Sequence, residues 1–270
     1  MSDERAAWWG CAATVVGAAH RLRGQPGQDA AGAWDDSGLT VVADVLGTTS
    51  TSTPGTAAYR AARSAGVAVA DGHGDLRHPR SGRGAMLAVE AAAEVLRSDR
   101  EGHALARLVS TWRRRVDEDA ERDIEPLLGD ASTAYGTTLL AASGRGSSLV
   151  VVRVGDGEVG LVDSAGAHAS LPPAAPLDVG LTASLAGGGP VVVDVLDVVE
   201  LQIGAVWLAT DGFTNAQADR EWRATVAAQL HERLSRDGHA HVATQLPAWI
   251  SPAAVDGGDD VSLALLVPPG

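Results

Sequence analysis

The sequence predicts an α+β protein. Two observations predict it. Short Val/Leu/Ala runs bounded by Gly, Asp and Ser recur along 270 residues, which is the pattern of buried strands. They are ordered as strands, then helices, then strands again, without the strict alternation of a parallel sheet. The strand runs fall at 8–16, 31–34, 39–43, 67–70, 136–142, 149–154, 158–162, 191–195, 205–209 and 261–267. The runs either side of Asp35-Asp36-Ser37-Gly38 read as a hairpin. Those either side of Gly155-Asp156-Gly157 read likewise, since glycines flanking an Asp tolerate positive φ. Helical spacing, with apolar residues three and four apart and Arg or Glu opposite, marks 85–97, 104–122 and 219–236. A fourth stretch, 241–250, reads as interrupted at Pro247. Residues 46–56 are rich in Thr, Ser and Gly and read as a loop. The Pro/Ala-rich 171–176 is too short to divide the chain, so 1–270 reads as a single domain.

Composition narrows the function. All 21 basic side chains are Arg, against 34 acidic ones, giving a net charge of −13. Chemistry that needs a lysine is excluded, and the acidic balance argues against a nucleic-acid partner. Cys11 is the one cysteine, so neither an internal disulfide nor a thiolate zinc site is available, and it reads as a small core residue. The N-terminus is acidic where a signal peptide is basic, and no apolar run reaches membrane-spanning length. A cytoplasmic protein with no membrane partner is the expectation. Aromatic residues are 4% of the chain, which predicts a core of closely packed small aliphatics.

The chemically informative residues are acids at strand ends beside small residues: Asp29, Asp71, Asp156, Asp211 and Asp259. A carboxylate there is held at the rim of the core, and an adjacent glycine lets a carbonyl reach the same point. Hard divalent cations prefer such oxygen ligands. Asp-Gly is also the commonest turn dipeptide, so any one of these is first a turn former or cap. Five together point to a site. If they converged without a cation, repulsion and desolvation would make some retain protons. His20 and His78 read as surface or satisfied core residues. Valine-alanine-aspartate occurs twice, ending at Asp44 and at Asp71, and only one of these can fill a given position.

In their order, these motifs resemble the metal-dependent type-2C Ser/Thr protein phosphatases, the PPM family, in a bacterial form. GAAHRLRGQPGQDA (17–30) resembles the opening motif and VADGHG (69–74) the metal motif. YGTTLLAA (135–142) and VRVGDGEV (152–159) resemble the central strands, and WLATDGFTN (207–215) and GDDVSLALL (258–266) the closing motifs. The resemblance implies a central antiparallel β-sandwich flanked by helices on both faces, and a binuclear Mn²⁺/Mg²⁺ site with a possible weaker third ion. It implies that Asp71 bridges the two metals, that the Gly72 carbonyl binds one, and that Asp211 and Asp259 hold the other. Asp156 would serve the third ion, Asp29 would orient water, His73 would act as general acid, and Arg23, or next Arg21, would bind substrate phosphate.

The reaction implied is hydrolysis of a phosphomonoester on a Ser/Thr phosphoprotein by direct attack of a metal-bridging water, with regulation expected from separate partners or from the inserted segment. The pattern departs from the family at Gln28, at Asn215 and in an apparent insertion at about 45–66. Asp44 suits the usual spacing better, whereas Asp71 has the intact Asp-Gly-His-Gly context. Two alternatives stay open: a weak or inactive regulatory protein on the same fold, and a hydrolase of small phosphoesters.

Overall fold

The computed structural model describes residues 7–43, 58–98, 105–123, 130–171, 183–187 and 191–270. The loop expected at 46–56 and the alternative ligand Asp44 lie outside the described residues. Two six-stranded sheets form the centre, and every described pairing is antiparallel. The first sheet contains β1 (Trp8–Val15), β4 (Ala58–Ala62), β8 (Glu158–Asp163), β9 (His168–Ser170), β11 (Ile203–Ala209) and β12 (Val261–Val267). Its order is β4-β1-β12-β11-β8-β9. The second contains β2 (Ala30–Asp35), β3 (Leu39–Ala43), β5 (Ser64–Ala70), β6 (Leu139–Arg145), β7 (Ser148–Val154) and β10 (Val192–Asp197). Its order is β10-β7-β6-β5-β2-β3. The helices are α1 (Ala18–Arg23), α2 (Ser81–Ser98), α3 (Leu105–Arg122), α4 (Ala131–Ala134), α5 (Asp211–Asn215), α6 (Trp222–Asp237) and α7 (His239–Asp256). Among the described residues no helix is long and apolar enough to cross a membrane.

Strand alternation divides the core into three layers. Trp8, Ala12, Val67, Leu140, Val206 and Leu266 point between the sheets. Their neighbours Trp9, Cys11, Trp207 and Leu265 face α6 and α7, where Leu230, Leu246 and Ile250 meet them. Trp34, Ala68, Leu139 and Val152 face α2 and α3 on the other side. The result is a helix–sheet–sheet–helix stack.

Three sequence expectations are corrected. The segment 155–157 is not a hairpin, because β7 and β8 lie in different sheets and the chain crosses from one to the other there. The helix around Pro247 is not interrupted: α7 runs through both Pro247 and Pro252. Pro247 is buried on the packed face, and Ser251 Oγ donates to its carbonyl at 2.7 Å, so tertiary packing outweighs the lost backbone donor. The core is not only small aliphatics, since Trp8, Trp9, Trp34, Trp112 and Trp207 are all fully buried. The latter half of the segment read as an insertion forms β4, at the edge of the first sheet, and the start of β5, inside the second. The hairpin at 35–38 is present, with Trp34 opposite Leu39.

The large indoles fit because glycine lies beneath them. Gly66 is the cross-strand partner of Trp34, and Gly160 that of Trp207. A Cβ on Gly66 would sit 2.3 Å from Trp34 Cε2, and one on Gly144 2.3 Å from the Trp8 ring. Gly66→Ala is expected to lower stability by about 1–3 kcal/mol through overpacking, read as a shift in the urea midpoint at constant m.

Candidate active site

The carboxylates gather where strands of both sheets end. Asp29 precedes β2, Asp71 follows β5, Asp211 follows β11 as the first residue of α5, and Asp259 lies just ahead of β12. β5 is an interior strand between β2 and β6, whereas β3, which leads to Asp44, is an edge strand. The backbone of Asp71 is fixed on both sides. Its N–H donates to Thr138 Oγ1 at 3.1 Å, and its carbonyl accepts the Thr138 N–H at 2.9 Å and Thr137 Oγ1 at 2.8 Å. Gly72 leaves no room for a side chain: a Cβ would lie 2.6 Å from the Ser81 carbonyl carbon and 2.7 Å from the Gln28 oxygen. That close approach brings the loop carrying Gln28 and Asp29 against the Asp71 loop, joined by the Gly72 N–H to the Gln28 carbonyl at 3.2 Å.

Asp29 is 2% exposed. Its Oδ2 accepts Thr210 Oγ1 at 2.9 Å, while its Oδ1 is buried without a hydrogen-bonding partner. Desolvation, and then repulsion from Asp260, push its carboxyl well above the ordinary aspartate range. Asp71 is raised well above that range by burial first, then by the charges of Asp29 and Asp211 and by a hydrogen bond with Asp211. Asp211 is raised as well, by burial and then by Asp156. Asp259 adds to the field on both Asp71 and Asp211. Among the described residues, no three His, Cys, Asp or Glu side chains close tightly enough to clasp one ion. The all-oxygen donor set fits a hard divalent cation, and the unpartnered Asp29 Oδ1 leaves a buried acceptor for water beside it.

A prediction follows from the raised acids. Free aspartates titrate near 4, so above that value the unfolded chain has released protons that the folded cluster still holds. Stability from this source is complete below about pH 4 and is lost as pH rises through the higher folded values. In chelator, the melting temperature is therefore expected to fall from pH 5 to pH 8. Saturating Mn²⁺, which binds the deprotonated acids, is expected to flatten or reverse that trend.

His73 donates its backbone N–H to the Gly136 carbonyl at 3.1 Å, and its ring lies 5.0 Å from that of His78. Burial, and then His78, lower its pKa, with Asp156 opposing them. Asp156, on the crossing between the sheets, thus faces both His73 and Asp211. Arg23 is exposed at the C-terminal end of α1, and among the described residues no hydrogen bond or ion pair ties it to the carboxylates. Arg80 and Arg83 line a cavity of about 540 Å³ next to Gln28, Gly74 and His78. Arg80 is anchored by Tyr135 Oη at 3.2 Å and Asp123 at 3.0 Å.

Asp260 is the important residue that sequence reasoning passed over. It is 3% exposed and joins the β12 end to the opening loop. Its Oδ1 accepts the Gly17 N–H at 2.7 Å and pairs with His20 Nδ1 at 2.9 Å, and its Oδ2 accepts the Gln28 N–H at 2.5 Å. The available signal was the Asp-Asp doublet ahead of an apolar strand.

The family model described as Protein phosphatase 2C matches residues 56–251. No individual curated protein matches. Among solved structures, the Mycobacterium tuberculosis serine/threonine phosphatase PstP/Ppp is similar over 98% of this chain and 100% of its own, at 14% identity and a TM-score of 0.59. The serine/threonine phosphatase Stp1 from Staphylococcus aureus is similar over 97% and 95%, at 12% identity and 0.60. The S. agalactiae serine/threonine phosphatase is similar over 76% and 88%, at 19% identity and 0.51. At these identities the structural likeness is one of fold.

Proposed function

The chain belongs to the protein phosphatase 2C family, and from that membership we propose that it is a metal-dependent phosphoprotein phosphatase acting on phosphoserine or phosphothreonine. The observation that carries the proposal is the convergence of Asp29, Asp71 and Asp211, three buried or half-buried acids from separate strand ends, each held above its ordinary pKa. Such a cluster becomes favourable on binding a cation.

Asp71, the Gly72 carbonyl, Asp211 and Asp259 would hold Mn²⁺ or Mg²⁺, with Asp156 left for a weaker third ion. Bound cations would supply Lewis-acid polarisation of the phosphoryl oxygens and a nucleophilic water at neutral pH. The protein's own contributions are positional. Asp29, fixed by Thr210 Oγ1 through one oxygen, offers the other to orient water and take its proton. His73 stands beside the metal loop to protonate the departing alkoxide. Its lowered pKa makes that role weaken as pH rises, while Asp156 sustains it. Arg80 and Arg83 supply positive charge to an incoming phosphoprotein, in the place expected of Arg23.

A second reading, a regulatory binding protein on the same fold, is favoured by one observation: the acids do not close into a ligating set. Chelator-treated protein, assayed with and without Mn²⁺ on a phosphoserine peptide, p-nitrophenyl phosphate and free nucleotides, decides among these. Hydrolysis restored by Mn²⁺ with the peptide preferred is expected. No hydrolysis at saturating Mn²⁺ would favour the binding protein, and preference for nucleotides the small-molecule esterase.

A further inference from the structure

A second pocket, of about 310 Å³, lies among α5, α6 and α7. Its walls include Phe213, Trp222 and Trp249, and Asp219 and Asp256 also line it. Phe213 meets Trp222 edge to face at 6.1 Å, so the aromatic wall is a packed unit. None of the described lining residues is basic. Both acids are exposed. Asp219 Oδ1 accepts the Glu221 N–H at 3.0 Å, and among the described residues Oδ2 has no partner. Asp256 is the last residue of α7, an 18-residue helix, where unpaired carbonyls and the macrodipole add negative potential.

We propose that this pocket binds the guanidinium group of an arginine presented by a protein partner. Carboxylates, a helix C-terminus and an aromatic surface each attract a cation, and here two exposed acids and the end of α7 lie beside the half-buried Trp249 in one concavity, with Trp222 and Phe213 packed behind it. A guanidinium suits it better than an ammonium, because it is planar, weakly hydrated, stacks on indole and pairs with carboxylate through two parallel bonds. The same two indoles already accept such groups from within the chain: the Arg223 guanidinium lies 4.5 Å from the Trp222 ring centre and that of Arg233 5.6 Å from that of Trp249. The overall charge of −13 would draw a basic segment towards the surface. Asp211 and Phe213 sit on the same short helix, α5. The pocket therefore adjoins the carboxylate cluster, and an arginine near the phosphoresidue is the occupant if the phosphatase reading holds.

The test is calorimetric titration of the full chain with an unphosphorylated pentapeptide carrying one arginine, and with its citrulline counterpart. The arginine peptide is expected to bind about five- to tenfold more tightly, and Asp219→Asn/Asp256→Asn to reduce it to the citrulline level while leaving the melting temperature in place. Equal binding of the two peptides, or arginine binding untouched by the double substitution, overturns the proposal. So does tetramethylammonium displacing the peptide at equal concentration, since the pocket would then read any cation. No turnover is needed. A failure here leaves the phosphatase reading standing, and an inactive protein that binds arginine leaves this proposal standing.

Discussion

Replacing Asp71 by asparagine is expected to lower Mn²⁺-dependent phosphatase activity by about 10³-fold, the scale of removing one electrostatic support of a transition state. In chelator the same substitution is expected to raise the melting temperature by about 2–4 °C, the shift given by roughly 1 kcal/mol in a chain of this class. The opposite signs have one cause. Without metal, Asp71 is a desolvated acid repelled by Asp29, Asp211 and Asp259, so a neutral isostere relieves the fold. If metal binds here as proposed, the same oxygens would become ligands, and their loss would remove both activity and the stabilisation that binding confers. Hydrogen bonds to Thr137 and Thr138 hold the Asp71 backbone, so asparagine will keep its place. Activity measured with melting in both conditions settles the assignment. A variant that stays active and melts lower without metal would make Asp71 structural and return the bridging role to Asp44.

Asp260→Ala is expected to cost about 3–5 kcal/mol, the range for breaking a buried charged network and leaving its donors unmet. Gly17 N–H, His20 Nδ1 and Gln28 N–H would all lose their acceptor. Because Gln28 precedes Asp29 and Asp260 also contributes to the raised pKa of Asp29, activity is expected to fall with stability. Chemical denaturation and kinetics at a temperature where the variant stays folded separate the two effects. Asp260→Asn keeps one acceptor oxygen but turns an amide towards a donor, so an intermediate loss is expected.

The strand ends were legible because each is a local pattern: an apolar run, an acid and a small residue. Their order carried the resemblance, and the resemblance carried the layered architecture. What was not legible depends on partners distant in sequence. Which member of the pair Asp259 and Asp260 turns inward depends on the loop that meets it: Asp260 is buried against Gly17, His20 and Gln28, while Asp259 is exposed. Whether Gly155-Asp156-Gly157 closes a hairpin or crosses between sheets depends on which neighbours β7 and β8 find, not on the turn. The fit of Trp34 over Gly66 spans a cross-strand pair, and no window of sequence shows it. Arg80 and Arg83 carry no such signal, since they precede and begin a helix that reads only as packing. The helix through Pro247 shows local preference yielding to burial.

The position of β12 bears on how the protein is made. It lies between β1 and β11, pairing Cys11 with Leu265 and Trp207 with Leu265, and Asp260 reaches Gly17 across 243 residues. On a ribosome, β1 emerges long before the strand that must lie beside it. Until then, the first sheet has a gap at its centre, with apolar edges open to aggregation or to chaperones. Pairing at such separation is slow, so synthesis of residues 259–267 is the event that closes the sheet and completes the carboxylate cluster together. A nascent chain stalled before that point would be both unprotected and without the site.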